Sequence, residues 1–487
     1  MAYSKTIESD KFIAQITVDR DQFRVLMVNP FVSDFRLPWA HWHQPTGLLQ
    51  LGSFLKQHNH DVHLVDFLNT NSKQIVRRKH KTIERGDYSI PLWRFGLSSN
   101  TDFRNRIKRQ LKNSWKPDVV FFTSLNSIWW EDVKEAIETT HELLPNTPIY
   151  LGGLYPTYEL GHAKKYSGAD FIVTNHITEV TRYPLDLSPY QSPPKSTGIY
   201  FYYKDQNANQ TPRPQHEILD EIKAKIELGV LEFAFFDDEI KSEDKSIFIE
   251  LLNLVMKNSI KTKFVLLGNI SARTIDKKLA KKMKSAGVHK IYLKCNLNFD
   301  EKDYFTDTLE DYQKCMQHLI KDANYRLGVD DIAAMVVIGV PFEDLRAVTK
   351  RIINLAHIVR SVIPVPFQYV PFIHRAFSFG LNPSHNGNNP IAKFVTKNLT
   401  SPEKFNGKLY PFAEISGYSF EEYMELTRLA TLLNSKYRSA TFDFLGDSFT
   451  AKRFRESIRT KGWDPFKDKH ESRTIFIDDL LIKSEKQ

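Results

Sequence analysis

Three adjacent carboxylates are the residues of this chain that most directly suggest chemistry. Asp237, Asp238 and Glu239 follow the apolar stretch "LEFAFF" (231–236), which is typical of a buried strand. Neighbouring carboxylates at the end of a strand can act as an acid and a base, or can hold a hard cation. In the alternative, structural interpretation, one carboxylate points inward and its neighbours cap the helix that begins near "KSED". Both interpretations remain open.

Arg273 is the cationic candidate. It follows "TKFVLLGNIS" (262–271), a second apolar stretch that indicates a strand. A guanidinium group binds an anionic ligand through two parallel hydrogen bonds. The candidate catalytic residues are therefore Asp237, Asp238, Glu239 and Arg273.

Small and hydroxyl-bearing residues follow two strands in the first half of the chain, "PDVVFFTSL" (117–125) and "TPIYLGG" (147–153). Such residues let the backbone approach a ligand closely, but they also serve ordinary tight turns. The residues concerned are Thr123, Ser124, Ser127, Gly152, Gly153 and Thr157.

Histidine and cysteine side chains are the remaining candidates for metal ligands. His41 and His43 lie in "FRLPWAHWH" (35–43), and a neutral imidazole is a good metal ligand, although surface or packing roles are the alternative. The chain has two cysteines, Cys295 and Cys315, which are too few for a disulfide framework or a multi-cysteine metal site. We interpret both cysteines as small buried apolar residues.

The elements that must position these residues alternate between strand and helix. In the first half, this alternation predicts a doubly wound parallel sheet, in which ligands bind beyond the carboxyl ends of the strands. The predicted strands are 23–30, 61–67, 117–125, 147–153 and 169–175. The second half has six further strand–helix units, which predict a partial βα barrel with its chemistry at the carboxyl ends of the strands. Its predicted strands are 197–203, 231–239, 262–271, 290–296, 331–340 and 364–372.

The predicted domains follow from these patterns. They are an N-terminal extension (1–22), a doubly wound domain (23–180) with a basic insert at about 70–116, a linker (181–195), a barrel (196–375) and a C-terminal extension (376–487). The last contains a predicted helix at 420–437.

Charge and hydropathy limit the classes of partner that this protein can bind. The formal net charge is +9, and much of the basic character lies in 72–87 and 104–116. A nucleic-acid surface would interleave basic residues with stacking aromatics, so we interpret these stretches as a solvated helical insert and treat nucleic acid as an unlikely partner. No apolar run reaches the roughly 18 residues of a membrane span, and the N-terminus lacks the pattern of a signal peptide. We therefore expect a cytoplasmic protein.

Several motifs carry a family resemblance. In order along the chain they are "LGGLYPT", "TPRPQHEILDEI", "FAFFDDE", "MKSAGVHKIYL" and "VVIGVPFEDLRAV". Over about residues 23–375 the chain resembles the cobalamin-binding subgroup of the radical S-adenosylmethionine superfamily. The resemblance implies a Rossmann-like corrinoid-binding domain followed by a barrel of the radical S-adenosylmethionine type. It also implies cobalamin as cofactor, with His41 or His43 as a possible cobalt ligand. The positions that match the family's cobalamin site are the candidate cofactor-binding residues Thr123, Ser124, Ser127, Gly152, Gly153 and Thr157.

The chain departs from this family at the cluster motif. Members carry Cys-x3-Cys-x2-Cys after the first barrel strand, whereas this chain has "YYKDQNANQ" (202–210). Iron–sulfur clusters require thiolate ligands, and Asn296 stands where the family often has a cofactor-binding glutamate. We expect no iron–sulfur cluster, consider S-adenosylmethionine an unlikely cofactor, and expect its reductive cleavage to be lost.

Three functions remain open, and so does the question of whether the protein is an enzyme. The first is cobalamin binding with non-radical methyl transfer or tailoring chemistry on a small molecule or peptide. The second is a catalytically inactive partner or scaffold for an active relative or a carrier-bound substrate, and the third is nucleic-acid binding through the basic insert. We expect a ligand, if one is bound, to lie between the two halves. We also expect large side chains to fill the space that the cluster would occupy: Tyr202, Tyr203, Phe235 and Phe236.

Overall fold

The structure is a computed structural model, which describes most of the first three quarters of the chain. The described residues are 4–8, 12, 22–34, 44–69, 76–85, 88–111, 115–174, 180, 183–190, 193–204, 210–237, 239–294, 307–325, 332–338, 345–366, 426, 429, 430, 433 and 434.

Strands and helices alternate along the described residues. The strands are β1 (Lys5–Glu8), β2 (Arg24–Asn29), β3 (Val32–Asp34), β4 (Asp61–Asp66), β5 (Arg77–Arg85), β6 (Tyr88–Phe95), β7 (Val119–Thr123), β8 (Ile149–Gly152), β9 (Phe171–Thr174), β10 (Ser196–Ile199), β11 (Tyr202–Lys204), β12 (Gln210–Pro212), β13 (Glu232–Phe235), β14 (Lys263–Leu267), β15 (Val288–Lys294), β16 (Ile332–Ile338) and β17 (Val362–Pro366). The helices are α1 (Thr46–Gln57), α2 (Asp102–Gln110), α3 (Trp130–Leu143), α4 (Leu154–Tyr158), α5 (Leu160–Tyr166), α6 (Gln215–Glu227), α7 (Lys245–Lys257), α8 (Lys277–Ser285), α9 (Leu309–Gln317) and α10 (Leu345–Val359).

The first half forms a six-stranded parallel sheet in the order β1-β9-β8-β7-β2-β4. The order of winding reverses between β2 and β7, and a reversal of this kind leaves a crevice at the carboxyl ends of the strands. Because successive side chains on a strand point to opposite faces, Met27 packs on one face of β2 and Leu26 and Val28 pack on the other. The chain is therefore a mixed α/β protein, as expected.

Residues of the predicted N-terminal extension (1–22) contribute to this sheet and its core. β1 adds a parallel edge strand beside β9, with Ile7 opposite Val173. Phe12 is buried, and its ring lies 5.2 Å from the ring of Phe121. The predicted linker is likewise packed into the core, since Leu185, Leu187 and Tyr190 are buried.

The second half forms another six-stranded parallel sheet, in the sequential order β10-β13-β14-β15-β16-β17. One of its faces packs on helices and belongs to the main core. Its other face, which we call the inner face, carries a separate apolar cluster of buried and half-buried side chains: Ala234, Phe236, Val265, Leu267, Tyr292, Ala333, Met335 and Ile363.

The predicted strand 197–203 is interrupted in the structure. β10 ends at Ile199, and the chain resumes as β11, which pairs with β12 in a hairpin. The break has a local cause, because the backbone N–H groups of Phe201 and Tyr202 donate to the carboxylate of Asp237, at 2.7 and 2.9 Å, rather than to a neighbouring strand.

The basic insert is not the helical segment that its composition suggested. β5 and β6 form an antiparallel hairpin that is extended by β3, and only the second basic stretch includes a helix, α2. The partner strand explains the difference, since Ile90, Trp93 and Phe95 are strong strand formers. The guanidinium of Arg77 lies 4.7 Å from the centre of the Trp93 ring.

The described residues of the predicted C-terminal helix cover the last strand of the second sheet. Leu426, Leu429, Ala430 and Leu433 are helical and buried, at the spacing of one helix face. Asn434 accepts a hydrogen bond from the backbone N–H of Val362 at 2.9 Å and donates to its carbonyl at 2.8 Å. Its amide thereby makes the two backbone hydrogen bonds that a neighbouring strand would make with Val362 of β17. Among the described helices, none is both long and apolar enough to cross a membrane.

Candidate functional site

A cavity of about 300 Å³ lies at the junction of the two halves and opens to solvent. We call it the junction cavity. The first half contributes the beginning of α1 and the carboxyl ends of β7, β8 and β9, and the second half contributes the residues around β11 and α6. Its lining includes Phe12, Thr46, Gly47, Phe121, Thr123, Tyr150, Gly152, Gly153, Thr157, Val173, Tyr183, Leu185, Tyr200, Tyr202, Arg213 and Glu221.

The two halves are joined beside this cavity by the residues that precede and begin α1. The buried Gln44 side chain accepts a hydrogen bond from Thr197 Oγ1 at 2.8 Å and donates to the Ser196 carbonyl at 3.0 Å. Two residues later, Thr46 Oγ1 accepts a hydrogen bond from the hydroxyl of Tyr200 at 3.2 Å. These contacts hold the first turn of α1 against the first strand of the second sheet.

Two glycines leave open space in the cavity wall. A Cβ added to Gly47 or to Gly152 would meet nothing within 4 Å. Gly47 lies in the first turn of α1, and Gly152 ends β8. A ligand can therefore approach the backbone closely at both places.

Gly153 is a glycine for a different reason. Its φ is 103°, in the left-handed region, and an added Cβ would lie 2.4 Å from the carbonyl oxygen of Ser124. The turn after β8 therefore requires glycine with or without a ligand. Although Gly153 lines the cavity, its residue type is no evidence for a binding role.

Aromatic rings form the part of the wall that belongs to the first sheet. The ring of Tyr150 lies 5.5 Å from that of Phe121, edge to face, and 4.6 Å from that of Phe171, nearly parallel. Phe12 covers both Phe121 and Tyr150. This part of the cavity suits an apolar, flat portion of a ligand.

The opposite wall contains a buried cluster of charged side chains. Glu221 pairs with Arg213 at 2.8 Å and with Lys225 one helical turn further along α6. All three side chains are less than one tenth exposed. With Lys225 protonated, two cations face one carboxylate.

The pKa values within this cluster follow from burial and pairing. Burial acts to raise the pKa of Glu221, but Lys225 and Arg213 outweigh it, and the pKa lies below its usual value. Burial lowers the pKa of Lys225, against the opposing effect of Glu221. The cluster is thus held together by mutual attraction in a region that disfavours each charge separately.

The candidate cofactor-binding residues divide into two groups. Thr123, Gly152, Gly153 and Thr157 line the junction cavity. Ser124 and Ser127 are buried beside it rather than among its lining residues. The Ser124 hydroxyl donates to the carbonyl of Asn126 at 3.3 Å, so it serves the turn after β7.

The candidate catalytic residues lie in a different place, at the carboxyl ends of β13 and β14. Asp237 is buried and accepts the two backbone N–H groups described above, which is a structural use of its carboxylate. The half-exposed Arg273 pairs with the buried Asp307, Nε to Oδ1 at 3.3 Å. Burial raises the pKa of Asp307, and Glu239 contributes to the same effect. Asp238, His41, His43, Cys295 and Asn296 lie outside the described residues.

Sequence analysis did not identify the charged cluster of Arg213, Glu221 and Lys225, although the sequence of α6 contains a pattern that indicates part of it. Ile218, Glu221, Ile222 and Lys225 follow the spacing of one buried helix face. Charged residues on an apolar face are unusual and mark buried ion pairs. Arg213 has no comparable signal, since only the fold brings it to Glu221.

Comparisons with known proteins provide no family. No protein-family model matches the chain, and the search of curated proteins found no match. Among solved structures, the YdjI aldolase from Escherichia coli K12 is 9% identical, with 65% of this chain and 89% of that chain covered and a TM-score of 0.20. The ribulose-1,5-bisphosphate carboxylase/oxygenase from Pyrococcus horikoshii OT3 is 10% identical, with 76% and 87% covered and a TM-score of 0.22. At such TM-scores these likenesses carry no argument about fold or function.

Proposed function

We propose that this protein binds a small molecule in the junction cavity, and that cobalamin is the ligand. The observation that carries the proposal is the open space over Gly47 and Gly152 at the carboxyl ends of a doubly wound sheet, which is where such sheets bind ligands. The strand order and the motif resemblance together support a Rossmann-like corrinoid-binding domain followed by a partial barrel of the radical S-adenosylmethionine type.

The residues of the cavity are compatible with a corrinoid. The aromatic wall suits the apolar faces of a large ring, and the bare backbone at Gly152 permits close approach. The hydroxyl of Thr123 can donate to a polar substituent, whereas that of Thr157 donates to the Gly153 carbonyl at 2.8 Å and can accept from a ligand. A volume of about 300 Å³ is at the lower end of the range for small-molecule sites. A corrinoid would therefore extend through the open side of the cavity.

Cobalamin, when bound, would supply a cobalt centre for polar methyl transfer. The chain's own contributions would be to hold the ring between the two halves and to exclude water with Phe12, Tyr150 and Tyr183, which line the cavity. The charged cluster would polarise a substrate that enters from the side of the second sheet.

A second candidate function, a catalytically inactive partner or scaffold, is favoured by the inner face of the second sheet. The Phe236 ring lies directly over Gly198, where an added Cβ would be 2.1 Å from the ring. Side chains thus occupy the face of the second sheet on which the family resemblance would place the reaction site. In this alternative the second half supports the fold, and the protein acts through contacts with another protein.

Cobalamin uptake tests the proposal. We expect the wild type to retain hydroxocobalamin after gel filtration, with a corrin absorption spectrum, and Gly152→Leu to lose it because the leucine fills open space in the cavity. Gly161→Leu is the matched control, because Gly161 is also open within 4 Å but is exposed on α5 and does not line the cavity. Undiminished retention by a folded Gly152→Leu protein, or no retention by the wild type, would overturn the proposal.

A further inference from the structure

A groove of about 530 Å³ lies along the outer edge of β4. Five consecutive residues of this strand line it, from Val62 to Asp66. One wall is formed by α2, and the opposite wall by the end of α1 and by residues 188–190. We call it the edge groove, and it shares no lining residue with the junction cavity.

The backbone of β4 has unpaired groups on the side of this groove. β4 is the last strand of the first sheet, and no described strand pairs with its outer edge. The Asp61 N–H donates to the carbonyl of Phe23 at 2.8 Å, so the odd-numbered residues of β4 bond towards β2. The residues between them direct their N–H and C=O groups the other way. The backbone groups of Val62, Leu64 and Asp66 therefore face the edge groove.

An edge of this kind is a template for another strand. Proteins commonly protect such an edge with a lysine, a proline or a β-bulge. β4 contains none of the three, since its sequence is "DVHLVD" and its register with β2 is unbroken. The walls leave Val62 and Leu64 only 6% and 8% exposed. The edge is therefore accessible to a single extended peptide and not to the edge of another sheet.

The two faces of β4 meet different walls. Val65 packs in the cluster that contains Phe103 of α2, whereas Leu64 belongs to the main core on the other face. The side chains of an added strand alternate between the same two faces. Every second side chain would lie beside α2, and the others would lie beside Pro189 and Tyr190.

The α2 wall is basic. Its sequence, "DFRNRIKRQ", contains four cations and one carboxylate. Arg106 pairs with that carboxylate, Asp102, at 2.9 Å. The exposed Arg109 has no carboxylate partner among the described residues, and its Nε donates to the carbonyl of Asn105.

The other charged groups that line the groove are paired. Asp66, the one carboxylate among the described lining residues, accepts hydrogen bonds from the Tyr190 hydroxyl and the Asn29 side chain, both at 2.7 Å. Lys56 pairs with Asp186 at 3.0 Å. The unbalanced charge is therefore on the α2 wall, where it attracts a carboxylate.

We propose that the edge groove binds an extended peptide segment of another protein, which adds a seventh strand beside β4 and alternates acidic and apolar side chains. The backbone ladder would supply the affinity, and the side chains on the two faces would supply the specificity. The acidic side chains would face Arg109, and the apolar side chains would contact Pro189 and Tyr190. The inference goes beyond the proposed function, because it concerns a separate surface.

Fluorescence anisotropy with labelled synthetic peptides tests the strand pairing. The acidic probe is Val-Glu-Val-Glu-Val-Glu with a fluorescein at its N-terminus and an amide at its C-terminus. One control peptide has lysine in place of glutamate, and the other is the acidic probe methylated at every backbone nitrogen, so that it cannot donate to β4. We expect the wild type to bind the acidic probe at least about tenfold more tightly than either control, since each hydrogen bond contributes about 0.5–1.5 kcal/mol. No binding of the acidic probe, or equal binding of the methylated peptide, would overturn the inference.

Arg109→Glu and Lys108→Glu are a matched pair on the side of the protein. Both make the same change of charge at exposed positions of α2, but only Arg109 lines the groove. We expect Arg109→Glu to weaken binding of the acidic probe about three- to tenfold and to strengthen binding of the lysine peptide, because one exposed charge pair is reversed. Lys108→Glu should change either affinity less than about twofold. Equal effects of the two substitutions would show that general charge attracts the peptide, and the groove would not be its site.

A second copy of this chain is the competing occupant, and analytical ultracentrifugation distinguishes it. We expect the acidic probe to leave the sedimentation coefficient of the wild type almost unchanged. A wild-type dimer that the acidic probe dissociates would show that the edge of β4 pairs with another copy of this chain, and that result would overturn the proposal of a separate partner.

Discussion

The junction cavity and the inner face of the second sheet differ in the space around their glycines. At the junction, a Cβ added to Gly47 or Gly152 would meet nothing within 4 Å. On the inner face, a Cβ at Gly198 would lie 2.1 Å from the Phe236 ring, and one at Gly268 would lie 2.8 Å from Met335 Sδ. The absence of a side chain thus leaves room in one region, whereas in the other a neighbouring residue occupies it.

This difference indicates where a ligand belongs. In a close-packed interior, space next to glycine is normally filled by another side chain, as it is by Phe236 and Met335. At the junction, Gly47 is exposed and Gly152 is half-buried, so the open space beside them belongs to the cavity that opens to solvent and leaves room for a ligand. Among substitutions in the two regions, those in the charged cluster beside the cavity should change the free energy of unfolding most.

The largest expected effect is at Glu221. Replacement by alanine leaves Arg213 and Lys225 buried without their shared carboxylate, and we expect a loss of about 3–5 kcal/mol in the free energy of unfolding. Urea denaturation measures it. Glu227→Ala, at an exposed position on the same helix, should change stability by less than about 0.5 kcal/mol. Equal effects of the two substitutions would show that the cluster is not buried as described.

A smaller loss is expected on the inner face. Gly198→Ala forces the Phe236 ring to move, and overpacking of this kind costs about 1–3 kcal/mol. The double variant Gly198→Ala, Phe236→Leu should recover part of the loss, because the shorter side chain leaves room for the new methyl group. If Gly198→Ala is as stable as wild type in urea, the inner face has free space and the contrast with the junction fails.

The smallest effect, with the opposite sign, is expected at the junction. Gly47→Ala places a methyl group in open space and replaces glycine in a helix, so we expect a gain of about 0.5–1 kcal/mol. The same urea titration measures this gain. A destabilised Gly47→Ala protein would mean that the first turn of α1 is packed against a neighbour, which contradicts the open wall.

The sequence predicted the regular part of the fold well. Apolar stretches such as "FRVLMVNP" and "PDVVFFTSL" become β2 and β7, because a parallel strand that is buried on both faces requires a continuous apolar run. Of the four side chains expected to fill the barrel, only Phe236 belongs to the inner-face cluster. Phe235 points to the other face, where it packs on Phe248 and Phe264, since neighbouring residues of a strand alternate between faces.

The candidate site was harder to predict, because it depends on contacts between distant segments. Gly152 and Thr123 were found from their places at the ends of strands, but Arg213 reaches Glu221 only through the hairpin of β11 and β12. The basic stretch that forms β5 was wrongly predicted to be helical. Its charged composition gives no indication of β6, the strand with which it pairs. Asp237 looked catalytic by position, and its backbone contacts emerge only in three dimensions.

Equilibrium dialysis of the wild-type protein against cobalamin and, separately, against S-adenosylmethionine tests the contrast between the two regions most directly. The open junction and the covered inner face predict retention of cobalamin and no measurable retention of S-adenosylmethionine. Micromolar binding of S-adenosylmethionine with no binding of cobalamin would contradict the account, because the ligand site would then lie in the second sheet and not at the junction.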